Sequence, residues 1–390
     1  MQPDRPARSI FWATVCASAV LSWQTLTVHY NYGAHWTALF CTGGNLKTPP
    51  QLAAEHIYLF PSSNGWDGQF YHYIAHDPTL ANGMSAYIDA PRLRYRRILI
   101  PALAFAVAGG SQGRIDSSYR AVVLLFFALG AYWLSRLAQR YGYHRAWGLA
   151  VMLIPASLIS MDRMAVDIGL VACCLGFALY SHADESAWKL YGVLISAGLV
   201  RDTGLLLIAA YVLWLLYEKQ FGRALASAGA AGPVLAWSAY VYNRTTNYQG
   251  PGVPGIPLSG IARRFLHPTA YALPAFQDIM AVLCDWVALA GILAACVFAV
   301  LLVRRAGVSP PTVAALLFAL LGVLLWPLNE WVTVYDYGRL LSPLLIFLAL
   351  QGVRSRKWIW LAPLAMVIPR IAIQLAPQFI GVARGLVRFS

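Results

Sequence analysis

The sequence predicts an all-α polytopic membrane protein, and three observations predict it. Of 390 residues, 59% are hydrophobic and only 12% charged, where a soluble domain carries roughly 25% charge. Apolar runs recur from Ile10 to Leu375 instead of collecting in one anchor. Alternating barrel strands are absent, so backbone groups in lipid must be satisfied within helices.

A hydrocarbon core of ~30 Å needs ~20 mostly apolar residues per helix. About 11 spans are expected: Ile10–Val28, Ala121–Leu137, Ala146–Ser160, Met164–Tyr180, Trp188–Val200, Thr203–Tyr217, Ala224–Tyr242, Ile279–Val303, Thr312–Leu328, Leu340–Val353 and Trp358–Leu375. The first follows Arg5 and Arg8 and lacks a small-residue cleavage site, so it reads as a retained helix. Ile98–Gly113 is apolar but brief, carries Pro101 near its head and dissolves into Gly109, Gly110 and Gly113. It is expected to be re-entrant or to lie on the surface.

Charge supports that choice. With a cytoplasmic amino terminus and no crossing at 98–113, Arg136, Arg140, Arg145, Lys189, Lys219, Arg223, Arg304, Arg305, Arg354, Arg356 and Lys357 all fall on the cytoplasmic side. The opposing short turns hold Arg163, Arg201 and Arg339, the asymmetry the positive-inside rule requires. Arg384 and Arg388 in the tail then fall outside and disagree mildly. The net charge of +13 is explained by these flanks, and no nucleic-acid partner is expected. Cys16, Cys173, Cys174, Cys284 and Cys296 lie in or beside apolar segments and Cys41 in a polar loop, without CxxC or Cys/His metal spacing.

One transmembrane domain, 1–390, therefore carries two long outer loops, 29–97 and 243–278. Both exceed the usual helix–helix connection. The first is rich in Trp, Tyr and His, which argues against disorder; the second holds the non-helical run Gly250-Pro251-Gly252-Val253-Pro254-Gly255.

Candidate chemistry gathers on the outer side. In Asn64-Gly65-Trp66-Asp67-Gly68-Gln69-Phe70-Tyr71-His72-Tyr73-Ile74-Ala75, residues Trp66, Phe70, Tyr73 and Ile74 repeat at helical spacing. This suits a short interfacial helix with aromatic rings at headgroup depth. Asp67 in its first turn is either the acidic partner of a capping box opened by Asn64 or a functional carboxylate. Arg92, Arg94, Arg96 and Arg97 oppose the orientation rule. Their planar forks suit a lipid phosphate, or ordinary attraction to anionic headgroups. Asp162, Arg163 and Asp167, then Arg201 and Asp202, then Glu330, Asp336 and Arg339 mark outer helix ends. Such residues face a cavity or pair with one another, for example Asp162 with Arg201. Arg263 and Arg264 join them or are solvated. Trp66, Tyr71 and Tyr95 stack on a sugar or anchor the loop. His72 and His76, four apart, form a ligand pair or an interfacial face. There is no phosphate loop, HExxH or nucleophile elbow, and Asn243-Arg244-Thr245 is a weak glycosylation sequon.

Gly65-Trp66-Asp67-Gly68-Gln69-Phe70-Tyr71 resembles the GT-C superfamily of membrane glycosyltransferases, which place an acidic residue in the first extracytoplasmic loop in patterns such as Trp-Asp-(x)-x-x-Tyr. The nearest resemblance is to bacterial cell-surface glycopolymer proteins and the mannosyltransferases of GPI-anchor assembly. Leu199-Val200-Arg201-Asp202-Thr203-Gly204-Leu205 is similar to their Leu-(Ala/Thr)-Arg-(Glu/Asp/Pro)-Thr-Gly/Ala-Leu stretch. Tyr335-Asp336-Tyr337-Gly338-Arg339-Leu340-Leu341-Ser342-Pro343 resembles their late Arg-x-x-x-Pro element. Trp-Asp-Gly-Gln stands in place of a paired Asp-x-Asp or Glu-x-Asp, so a divalent cation is left open without a clear ligand pair, and no other cofactor is expected.

The resemblance implies an inverting transferase. It would move a sugar from a polyprenyl-phosphate donor to a hydroxyl of a glycan, lipid or protein acceptor. Asp67 would be the general base. Arg94, Arg96, Arg97, Arg201, Asp202 and Arg339, with Trp66, Gln69 and Tyr71, would bind substrate. The place implied is a bacterial inner membrane, with the site facing the periplasm or exterior. A lipid-linked-glycan transporter or flippase is the rival, although charges gather at one face and no internal repeat is visible, unlike the midplane sites of transporters. A polysaccharide polymerase or ligase shares the broad architecture.

Overall fold

The structure, a computed structural model, describes residues 6–182, 186–245, 256–269, 271, 273–325 and 331–389. Among these the chain is all-α apart from one two-residue parallel strand pair, Thr42–Gly43 beside Leu59–Phe60. The helices in chain order are α1 (Pro6–Tyr32), α2 (Asp67–His76), α3 (Pro91–Arg96), α4 (Leu99–Val107), α5 (Ile115–Arg140) and α6 (Pro155–Arg163). There follow α7 (Asp167–Tyr180), α8 (Ala187–Val200), α9 (Leu205–Tyr217), α10 (Phe221–Ala228), α11 (Ala231–Arg244) and α12 (Ser259–Leu266). The last are α13 (Ala275–Ala306), α14 (Pro310–Leu324), α15 (Val334–Leu340), α16 (Ser342–Ser355) and α17 (Ala362–Phe389).

Five of the described helical stretches are long and apolar enough to cross a membrane: Ala7–Tyr32, Gln112–Arg140, Phe221–Arg244, Ala275–Ala306 and Trp358–Val387. Five shorter apolar helices accompany them, Asp167–Tyr180, Ala187–Val200, Asp202–Tyr217, Pro310–Leu324 and Ser342–Ser355. The segment expected as a single span at Ala146–Ser160 is not one helix. A 3₁₀ turn over Arg145–Leu153 stops at Ile154, held extended before Pro155, and α6 starts afresh with that proline at its first position. The 98–113 segment yields α4, nine residues long, or ~14 Å, well short of the hydrocarbon thickness.

α5 is the axis of the bundle, with α1, α4, α7 and the 145–153 turn packed along it. Its 26 residues span ~39 Å and separate two chemically distinct ends. At its carboxyl end Arg140, Tyr141, His182 and Arg354 line one cavity, and Arg356 lies over the Tyr143 ring. A groove lined by Leu134, Ala138, Leu175, Ile346 and Leu350 adjoins this end and is almost wholly apolar. At the amino end of α5 the first long loop folds in, together with the ends of α6, α7, α8 and α15.

The short helix of that loop differs from the expected interfacial element. All ten residues of α2 are buried, so it is a core helix enclosed by α4, α5 and the 36–40 turn. Its apolar stripe was legible, but protein covers the opposite face as well.

Candidate functional site

Glycine builds the approach to Asp67. Gly65 adopts a left-handed φ of +72°, and a Cβ there would lie 2.6 Å from the Cys41 carbonyl oxygen and 2.6 Å from Nε2 of Gln69. Gly68 rests against the backbone carbonyl oxygens of Arg163 and Phe40, the latter 2.8 Å from an added Cβ. The Gly65-Trp66-Asp67-Gly68 run thus lets the chain turn and press the first turn of α2 onto α6. Trp66 is extended at the N-cap and no side chain caps the helix. Gln69 ties this corner down: its Oε1 accepts from the Gly43 amide at 3.1 Å and its Nε2 donates to the Asn64 carbonyl at 2.8 Å.

The capping-box reading is therefore overturned. Asn64 Oδ1 accepts from Asn45, and Asp67 faces guanidinium groups instead of its own helix. One Asp67 oxygen takes a 2.8 Å contact from Arg94 Nη1. The other accepts from Arg339 Nη1 in a direct ion pair. Arg339 is also 3.8 Å from Asp167, which pairs directly with Arg201. Asp202 receives Arg96 at 3.1 Å and Arg97 at 3.4 Å, and Arg97 donates to the Tyr71 hydroxyl at 3.0 Å. All three sequence motifs meet here, from α2, from the α8–α9 corner and from α15.

Each element places its charge for a local reason. Arg201 is extended and breaks the helix between α8 and the Asp202–Gly204 turn, so both side chains project at a helix end. α3 begins at Pro91, a residue preset for a first helical position, and its single turn aims Arg94 and Arg96 toward α2 and α8. Thr333 Oγ1 donates to Asp336 Oδ2 at 2.8 Å at the start of α15, and Arg339 reaches back to Asp336 at 3.3 Å.

Charge is balanced in this ladder. Arg94, Arg96, Arg97, Arg201 and Arg339 face Asp67, Asp89, Asp167, Asp202 and Asp336. Buried ions survive only when paired in this way. Burial alone would raise the Asp67 pKa, but Arg339 and Arg94 outweigh it and hold the carboxyl well below the usual carboxylate range. Among the guanidinium nitrogens, Nε of Arg201 and Nε of Arg339 are buried with neither a hydrogen-bond nor an ion-pair partner among the described residues. Arg96 is the most open of the group, about 35% exposed, and lines a cavity with Arg92, Ser238, Val241 and Tyr242.

Several sequence expectations are corrected. The four arginines do not form one cradle: Arg92 donates to the Thr245 carbonyl at 2.6 Å and lies over the Tyr242 ring, while Arg94 also pairs with Asp89. Tyr71 and Tyr95 are fully buried and offer no face for a sugar, and Gln69 holds backbone. Trp66 keeps an aromatic role, with its ring 5.7 Å from Tyr335 and Arg339 5.5 Å above it. Asp162 pairs with Arg163 at 2.9 Å, not with Arg201, and Arg163 also donates to Cys41 Sγ. His72 and His76 are completely buried and form no interfacial face. Arg263 is exposed, but Arg264 is buried against Asp285. Glu330 and the Gly250–Gly255 run lie outside the described residues, as does the Arg388 side chain.

No family model, curated protein or solved structure matches the chain.

The site stands on its own geometry. Two polar groupings escaped sequence reasoning. One joins Asp285 of α13 to Arg264, Arg370 and Tyr271; of these only Arg264 had been singled out, and Asp285 and Arg370 are isolated charges in apolar runs. The other gathers Glu55 and Asp116 around His72 and His76. Only the i, i+4 histidine spacing signalled it.

Proposed function

We propose that the chain is an inverting glycosyltransferase acting on a polyprenyl-phosphate sugar at the extracytoplasmic face of a membrane, with Asp67 as general base. The observation that carries this reading is the convergence of Asp67, Arg201 and Arg339, each from a separate GT-C-like motif, on one buried ladder. Among the described residues, five helices long and apolar enough to cross a membrane and five shorter apolar ones support this topology, with the broken 145–163 passage taken as the eleventh crossing. So does the placing of Arg140, Arg354 and Arg356 at the opposite end from Asp67.

The chemistry follows from the charge balance. At rest Asp67 is ionised but weakly basic, because two guanidinium groups hold its oxygens. A donor phosphate entering past Arg96 competes for those groups, and the unused Nε donors of Arg201 and Arg339 add to its attraction. Once the phosphate takes an arginine, Asp67 regains basicity and removes the proton from the acceptor hydroxyl. The acceptor oxygen bonds to the anomeric carbon from the face opposite the phosphate. The bond from that carbon to the phosphate oxygen breaks, and its electron pair leaves with the lipid phosphate. The negative charge lost from Asp67 on protonation is the charge gained by the phosphate, so the arginines exchange one anion for another. Donors already fixed in place need little reorganisation for that exchange. No second carboxylic acid is needed, since the phosphate leaves as a stable anion.

The test is to supply the purified protein in vesicles with polyprenyl-phosphate hexoses and pentoses and a panel of hydroxyl acceptors. A new glycosidic bond with inverted anomeric configuration supports the reading. Movement of intact donor between leaflets without a new bond would assign a flippase instead.

A further inference from the structure

Beyond the transferase reading, and independent of it, a second site lies deeper along α2. We propose that Glu55, His72, His76 and Asp116 form a tetrahedral site for a divalent transition-metal cation, zinc by preference, that staples α2 to α5 and to the 50–55 turn.

Geometry carries this. The four candidate ligand atoms lie within 4.8 Å of one another. A zinc ion bonded to N and O ligands at ~2.0–2.1 Å sets neighbouring ligands of a tetrahedron about 3.3 Å apart. Here His72 Nε2 and His76 Nε2 are 3.2 Å apart. Glu55 Oε1 is 3.2 Å from His76 Nε2, and its other oxygen, Oε2, is 3.4 Å from His72 Nε2. Asp116 is 2.7 Å from His72 and 3.8 Å from His76. With one Glu55 oxygen as ligand, the histidine–histidine separation and one Glu55–histidine separation match the tetrahedral edge, and the two Asp116 separations straddle it.

Hydrogen-bond accounting points the same way. Nδ1 of His76 lies 2.6 Å from Oε1 of Gln112, which can only accept. That bond puts a proton on Nδ1 and leaves the Nε2 lone pair aimed at the carboxylates and at the other imidazole. Such outer contacts orient metal-bound histidines. Without a cation, one proton on His72 Nε2 would have to serve Asp116, Glu55 and His76 together. Oε2 of Glu55 is buried with no hydrogen-bond partner among the described residues. Two carboxylates and two neutral imidazoles carry −2, which a divalent cation neutralises, and mixed N/O ligation in a tetrahedron selects zinc over magnesium or calcium. The Phe40 ring, stacked 4.1 Å from His72, closes one side. Asp116, about a third exposed, is the route of access.

Asp67 precedes His72 by five residues on the same helix, ~7.5 Å along its axis. The ion would therefore act as a positioning element for the helix that carries Asp67, remote from the ladder itself.

The test uses full-length, tag-free protein in detergent, stripped with chelator, dialysed and titrated with Zn²⁺ alone. One tightly held Zn²⁺ per chain is expected, with X-ray absorption showing two imidazole nitrogens and two carboxylate oxygens. Glu55→Gln, at the end of the 3₁₀ turn Pro50–Glu55 and outside the α-helices, should weaken binding at least about 10-fold while leaving the melting of metal-free protein unchanged. Gln112→Ala should weaken it about 10- to 100-fold through the lost outer contact. Failure to retain stoichiometric zinc, binding without imidazole scattering, or unchanged affinity in both variants would overturn the site. None of these readouts depends on sugar transfer, so this proposal and the transferase reading can fail separately.

Discussion

Arg339 of α15 pairs directly with Asp67 of α2 across 272 residues of sequence. This contact makes the first-loop motif and the late motif one structure. It also explains why a carboxylate in the first turn of a helix has no capping duty. A helix amino terminus favours a negative side chain, but two guanidinium groups are stronger partners than the free first-turn amides.

The pair is expected to be energetically coupled. Asp67→Asn leaves Arg94 and Arg339 short of a counter-ion, and removing one member of a buried pair costs about 3–5 kcal/mol. Arg339→Gln should cost a comparable amount. In the double variant the losses should fall short of additivity by about 0.5–3 kcal/mol, measured by chemical or thermal unfolding in one detergent. Strict additivity would show that the contact does not persist in the folded protein.

Donor recognition is expected to split from stability at Arg96. This side chain is about a third exposed and lines the cavity beside α11; partly exposed ion pairs contribute little to folding. Arg96→Ala should leave the melting temperature within about 2 °C of wild type, a surface-scale effect. It should raise KM for the polyprenyl-phosphate donor about 10-fold with a smaller change in kcat. A change in kcat alone would place Arg96 outside donor binding.

The pH profile follows from the held-down Asp67. In the free protein Arg339 and Arg94 keep it ionised below the ordinary range, so kcat/KM, which reports the free enzyme, should show no acid limb from Asp67 down to about pH 5. Arg94→Gln removes one cation, raises the Asp67 pKa and makes its protonation begin at higher pH. The acid limb of the variant should therefore lie above that of wild type. Coincident limbs would mean that another group titrates.

Orientation is checked by cysteine labelling in intact cells. Lys47→Cys, exposed in the first long loop, should react with an impermeant thiol reagent from outside, and Arg305→Cys, exposed at the far end of α13, should not. The reverse pattern would invert the topology.

Much of the fold was legible because lipid imposes one rule, continuous apolar helices, and the sequence obeys it wherever a run is uninterrupted. The misreadings share a cause. Pro155 inside an apolar stretch broke a helix where hydropathy alone sees a span. The Trp66–Phe70–Tyr73 stripe says that one face of α2 is apolar, and nothing local says that protein covers the other. Asp67, Arg201 and Arg339 were legible because each sits in a short motif. Asp202 shares the Arg201 motif but pairs with Arg96 and Arg97; Asp167, the partner of Arg201, was visible only as a charge sharing a face, and Asp162 was matched to the wrong arginine. Glu55 and Asp116 were not singled out at all. Each is an ordinary acidic residue in its own segment, and only tertiary folding brings them to His72 and His76.

The most direct measurement is the rate of glycosidic-bond formation by Asp67→Asn in vesicles holding a donor and acceptor that the wild-type protein joins, with folding verified by its melting profile. Loss of the general base should slow transfer about 10²–10⁴-fold while polyprenyl phosphate still binds. Transfer at the wild-type rate would contradict a catalytic role for Asp67.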